Sequence, residues 1–134
     1  MLEYKKDGEN IIDEQAVQND INVISVIKGK PLHQMVDILI NLNSLTANDV
    51  ATLTGYEIES VRKIRKGKLI ISPNFLKRFC LALRLSLSIA QLVLLEKGIT
   101  LLNCSDKNIR FVQALTEAKY INDDHDLIDL IDSL

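Results

Sequence analysis

Cysteine and histidine are scarce in this chain, with two of each in 134 residues. Cys80 and Cys104 sit in apolar surroundings, with no Cys-x-x-Cys spacing and no clustered histidine. Such surroundings predict buried free thiols in a reducing compartment, a disulfide being the other state that two cysteines allow. His33 and His125 stand isolated, so no metal-ligand spacing arises and no metal is expected. Long apolar runs are missing too. The most apolar stretch, 81–102, is interrupted by Arg84, Ser86, Ser88, Gln91, Glu96 and Lys97, which excludes an ordinary membrane span. The first thirty residues mix charged and apolar groups without the apolar core of a secretory signal, so a cytoplasmic protein is expected. No nucleophile–base set, phosphate loop or pair of catalytic carboxylates emerges, and neither an enzyme nor a cofactor is expected. Internal repeats, heptads and low-complexity tracts are likewise missing.

What is present is the balance of a globular domain, 47 % apolar and 25 % charged residues. That is enough to bury a core without disulfide or metal. The net charge of −2 hides an uneven distribution. Residues 1–30 carry four basic and six acidic groups, 31–87 carry eight and four, and 88–134 carry four and eight. A basic island therefore lies between acidic flanks, and five of its cations (Arg62, Lys63, Arg65, Lys66 and Lys68) fall within seven residues.

Apolar spacing and capping residues predict mostly helix. Residues 1–30 read as a polar leader containing a short strand (Ile21, Val23, Val26, Ile27) or an ordered arm. From Pro31, the spacing of Leu32, Met35, Val36 and Leu39 marks the buried stripe of a first helix. Thr46 with Asp49 forms a capping-box-like pair opening a second, which Gly55 stops. A third runs over 57–66, and a fourth follows Ser72-Pro73 with Phe75, Leu76, Phe79, Ala82 and Leu83 on one side. Ser88, with Gln91 three residues on, is read as the cap of a fifth that ends at Gly98. Ser105 opens a sixth, and Asp123 or Asp124 a seventh. Consecutive Leu92, Val93, Leu94 and Leu95 make the fifth greasy on more than one face, which calls for a cover from the C-terminal helices or a second subunit. The fold class expected is all-α.

Within the basic island Ala51, Gly55, Val61 and Ile64 follow one another at intervals of four, six and three. A small residue lets two helices cross closely, a glycine takes a left-handed turn, and two apolar residues anchor the second helix. Thr54-Gly55-Tyr56 is the expected turn. On these residues the segment LTANDVATLTGYEIESVRKIRKGKLIISPNFLKRFCLALRLSL, residues 45–87, resembles the Cro/repressor type of helix-turn-helix family without a gap. Leu45-Thr46, Gly67-Lys68 and Ala82-Leu83 add to the likeness. The resemblance implies a five-helix lambda-repressor-like DNA-binding domain over about 31–98, with an N-terminal arm at 1–30 and a C-terminal helical extension at 99–134. It also implies a transcriptional regulator of bacterial or phage type. The chain departs from the family's usual residues at Ala47 (glutamine), Arg65 (glutamate), Ile71 (proline) and Arg84 (glycine). Glu57 and Glu59 replace small hydroxyl residues in the first turn of the recognition helix.

With Val61 and Ile64 inward, Glu59, Arg62, Lys63 and Lys66 point outward together, a row suited to a major groove. The expected DNA-binding set is Glu57, Ile58, Glu59, Ser60, Arg62, Lys63, Lys66 and Lys68. Arg62 or Lys63 suits guanine's acceptor edge and Glu59 cytosine's amino group, while Lys66 and Lys68 suit phosphates. The plainer account is a solvated helix face on which Glu59 and Lys63 add about 0.2–0.5 kcal/mol. Tyr56 is read as a packing residue, and His33 as a surface or capping one. Asp123, Asp124, Asp126, Asp129 and Asp132 are read as a solvated acidic face, since they lack the alternating ligands and glycine of a calcium loop. Two functions follow. One is a sequence-specific regulator that binds double-stranded DNA as a homodimer, its subunits joined through Leu92, Leu94, Leu95, Leu101 and Leu102. The other, motivated by the acidic first turn and flanks, is a protein-interaction module without DNA binding. It would be an antitoxin-like inhibitor or an adaptor, meeting a protein partner through the C-terminal helices.

Overall fold

Most helices among the described residues start where a short polar side chain can satisfy amide groups that have no carbonyl beneath them. The computed structural model describes residues 13–134, which contain eight α-helices and no strand. These are α1 (Glu14–Ile27), α2 (Leu32–Leu42), α3 (Ala47–Thr54), α4 (Ile58–Arg65), α5 (Pro73–Ala82), α6 (Leu87–Leu95), α7 (Asp106–Ala118) and α8 (Asp124–Asp132). Asp13, Thr46, Ser72, Ser86, Ser105 and Asp123 each accept from an amide in the first turn that follows them. Such a cap contributes about 0.5–2 kcal/mol.

Three expectations are corrected. Residues 21–27, read as strand or arm, are the second half of α1, whose Ile27 is fully buried and whose Val23 and Ile24 pack against the core. Residues 1–12 of the leader lie outside the described residues. Ser86, not Ser88, caps α6, its Oγ accepting from the Ile89 amide at 3.4 Å. Gln91 caps nothing; its Oε1 accepts from the Leu101 amide at 2.6 Å and its Nε2 donates to the Ile99 carbonyl at 3.0 Å, pinning the loop after α6. Cys80 is buried as expected, but Cys104 is exposed, and both are free thiols.

All eight helices contribute to one buried apolar cluster. Its centre is α5 rather than the greasier α6: Phe75, Leu76, Phe79, Cys80, Leu81 and Ala82 are all at most 1 % exposed. Helices α3, α6, α7 and α8 surround it. Helix α6 buries Ile89, Ala90, Val93 and Leu94 and leaves Leu87 and Leu95 about half exposed.

Two helix junctions use the same device. After α2, Ser44 takes φ 56° and the Leu45 amide returns to the Ile40 carbonyl at 3.1 Å. After α5, Arg84 takes φ 52° and the Leu85 amide returns to the Cys80 carbonyl at 3.0 Å. A left-handed residue satisfies the last carbonyls of one helix, and the hydroxyl two positions on caps the next. Arg84 holds this conformation without being glycine. Its Nε also donates to the Ala118 carbonyl at 3.1 Å, capping α7 from outside.

Candidate nucleic-acid interface

Helix α3 opens with a complete capping box. The Asp49 amide donates to Thr46 Oγ1 at 3.1 Å and the Thr46 amide donates to Asp49 Oδ2 at 2.8 Å. It ends at Gly55, whose φ of 81° is a conformation that L side chains resist. Three residues, Gly55, Tyr56 and Glu57, then reverse the chain into α4. Val50 and Ala51 on α3 and Val61 and Ile64 on α4 are buried, so the two helices cross over shared core.

The turn is held from a distance. Arg78 on α5 donates through Nη1 to the Thr54 carbonyl at 2.8 Å and to Asp132 Oδ1 on α8 at 2.9 Å. Tyr56 is a packing residue: its ring meets Phe75 edge-on at 5.0 Å, and its hydroxyl lies 3.3 Å from Ser72 Oγ and accepts from Asn74 Nδ2 at 3.1 Å. Neither Arg78 nor Asp132 was singled out by sequence reasoning for this role. They lie 24 and 78 residues from Thr54, and no local pattern links such positions.

With α4 seated on Val61 and Ile64, Glu59, Arg62, Lys63 and Lys66 are exposed together on its outer side. Glu57 is the N-cap residue and exposed, Ser60 is half-buried beside the turn, and Ile58 packs partly against the core. The helix ends at Arg65, so Lys66 is its C-cap residue and Lys68 belongs to the following loop, its amide bonded to the Lys63 carbonyl at 2.8 Å. The five clustered cations are not equivalent. Arg65 turns back to α2, donating through Nε to Asp37 Oδ1 at 2.6 Å and through Nη2 to Asn41 Oδ1 at 2.8 Å. Arg62 is paired with Glu59 one turn earlier. Among the described residues Lys63, Lys66 and Lys68 enter no ion pair, and all three are exposed.

This layout places negative charge at the start of α4 and positive charge at its end. It complements the helix dipole whatever the surface meets. The same layout offers an anionic partner three unpaired ammonium groups at and beyond the C-terminal end of α4, with Glu57 and Glu59 at its start and Asp132 near the turn.

The remaining expected positions are dispersed. Leu94 is fully buried in the core of the single chain, and Leu92 and Leu101 pack partly against that core. Leu95 and Leu102 are exposed, at 52 % and 87 %. His125, read as isolated, is grouped with Asp126 and Asp129, their ligand atoms within 4.8 Å of one another on the exposed face of α8. Among the described residues no helix is long and apolar enough to cross a membrane. Compared with protein-family models, curated proteins and solved structures, the chain gives no significant match.

Proposed function

We propose that this protein is a non-catalytic, cytoplasmic, sequence-specific DNA-binding regulator acting as a homodimer, with α4 laid in the major groove. The observation that carries the reading is the outer side of α4. There Lys63 and Lys66, with Lys68 in the loop that follows, are exposed and unpaired among the described residues, and α4 itself follows a well-capped α3 across a three-residue turn. The run of five helices from α2 to α6, joined by short links, supports the lambda-repressor-like arrangement that the resemblance implies. Arg62 reads a base edge once Glu59 releases it, Glu59 accepts from a cytosine, and Lys66 and Lys68 hold phosphates.

Fluorescence polarisation with duplexes drawn from around the protein's own gene tests this. Lys66→Gln weakens binding to all duplexes alike and lowers the log–log salt slope by about one. Arg62→Ala costs about 1–3 kcal/mol on the preferred duplex and relaxes one base position. Absence of binding at low salt overturns the proposal. A second reading, a protein-interaction module of antitoxin-like or adaptor kind, is favoured by the Glu59–Arg62 pair and by Asp132 at the turn. It predicts that Glu59→Gln leaves DNA affinity unchanged, whereas a Glu59 facing phosphates predicts tighter non-specific binding at low salt.

A further inference from the structure

Between α5, α7 and α8 the chain leaves a cleft of about 450 Å³. Lys77 and Arg78 line it from α5, and Lys107 and Arg110, one turn apart on α7, line it from the opposite wall. Phe111 and Ile131 lie beneath it but are at most 2 % exposed, so the apolar surface open in the cleft is that of Pro73 and Leu134. Lys77 Nζ stands over the Phe111 ring, 5.9 Å from its centre. Four cationic side chains converge here although residues 88–134 carry twice as many acids as bases. Among the described residues no acidic side chain lines the cleft; Asp132 approaches only Arg78. Like charges focused over a low-dielectric surface raise the local potential and concentrate anions from solution. A cavity of this size belongs to small molecules.

We propose that this cleft binds a small amphipathic organic anion, an aromatic or aliphatic carboxylate whose apolar body lies against Pro73 and Leu134 while its charge meets Lys77, Lys107 and Arg110. Arg78 at the far rim keeps its Nη1 on the Thr54 carbonyl, so the ligand sits one side chain away from the α3–α4 turn. Nothing in this site requires α4 to meet DNA. An inorganic anion satisfies the cations but leaves the apolar lining wet, and an uncharged aromatic covers that lining but leaves Lys77, Lys107 and Arg110 unneutralised, Arg78 being paired with Asp132.

The test is titration of the full-length, nitrogen-15-labelled protein with 2-naphthoate, followed by amide chemical shifts. Saturable one-to-one binding is expected, with shifts centred on Lys107, Arg110 and Phe111. The paired exposed changes Lys107→Gln and Arg110→Gln weaken it by about tenfold or more while the helical circular dichroism is unchanged. Lys77→Gln on the other wall does the same in part, and serves should the double variant lose its helical spectrum. 2-Naphthalenemethanol, equal in shape but uncharged, binds about tenfold more weakly. Absence of saturation with naphthoate, unaltered affinity in both variants, or equal binding of inorganic phosphate overturns the proposal.

Discussion

Burial separates the two thiols more sharply than their sequence surroundings do. The Cys80 thiol has no solvent on any side, and burial pushes its pKa up to about 12 from 9.0, since the thiolate has lost its hydration. Cys104 lies on the exposed loop between α6 and α7. A thiol reagent at neutral pH is therefore expected to label one cysteine rapidly, Cys104, and to reach Cys80 only when the chain unfolds. Two fast thiols in the native protein contradict the core described above. The sign of the shift adds a pH dependence. The stabilisation from a neutral Cys80 is complete below its ordinary pKa and lost as pH rises from about 9 toward 12. Cys80→Ala should flatten the alkaline limb of a denaturant stability profile, though the deleted sulfur lowers stability at neutral pH. Gly67 and Gly98 offer a second contrast. Both have left-handed backbones, φ 74° and 71°, but a Cβ on Gly67 would meet the His33 ring at 3.0 Å, whereas at Gly98 nothing lies within 4 Å. Gly98→Ala is expected to cost about 1–2 kcal/mol from backbone strain alone, and Gly67→Ala more. Equal losses in urea melts would mean that His33 swings aside freely.

At the scale of the element, helices were legible wherever a cap and an apolar stripe coincided. Thr46 with Asp49, Ser72 before Pro73, Ser105 and Asp123 all begin helices where sequence reasoning puts them. α1 was misread because its buried stripe is thin. Val17, Ile21 and Val26 are exposed apolar residues that blur the helical period, and the β-branched run imitates a strand. Sequence reasoning put the α6 cap at Ser88, two positions beyond Ser86, the serine that caps it. Arg84 decides between them, because its left-handed backbone turns the Leu85 amide back to the Cys80 carbonyl of α5 and leaves Ser86 extended at ψ 160°. The outward row on α4 was legible from the spacing of Val61 and Ile64. That Arg65 is committed to Asp37, and that Arg78 holds the turn, were not, because these contacts join helices far apart in sequence. The last contact can be apportioned. Asp132→Asn removes a half-exposed ion-pair partner and should cost at most about 1 kcal/mol. Arg78→Met also strips the Thr54 carbonyl and should cost about 1–3 kcal/mol. Equal losses in denaturant melts would assign the whole effect to the bond with α8.

For the molecule as a whole, the excess apolar surface of α6 has a cover within the chain. Helices α1 and α5 pack on it, and the loop pinned by Gln91 folds Ile99 and Leu101 against the core. Leu94 thus drops out of the proposed homodimer surface, which is left with Leu95 and Leu102 as its exposed anchors and half-buried Leu92 and Leu101 beside them. Light scattering at tens of micromolar decides the matter: a dimer that Leu95→Glu dissociates supports that surface, and a clean monomer removes it. Removing everything after Gly98 uncovers α5, because α7 and α8 place Phe111, Leu115, Leu127 and Ile131 in the shared core. The fragment is expected to lose cooperative thermal unfolding.

The clamp at the α3–α4 turn bears on how freely that pair could be reused. Its geometry is set by an arginine from the central helix whose other partner, Asp132, lies on α8, 54 residues further along the chain. A transplant of residues 45–68 into another scaffold would carry the glycine, the capping box and the exposed lysines but leave the Thr54 carbonyl without its donor. The unit is better regarded as one end of an assembled machine than as a cassette. A graft that adds Arg78 and Asp132 at matching positions should hold the turn where a graft without them frays.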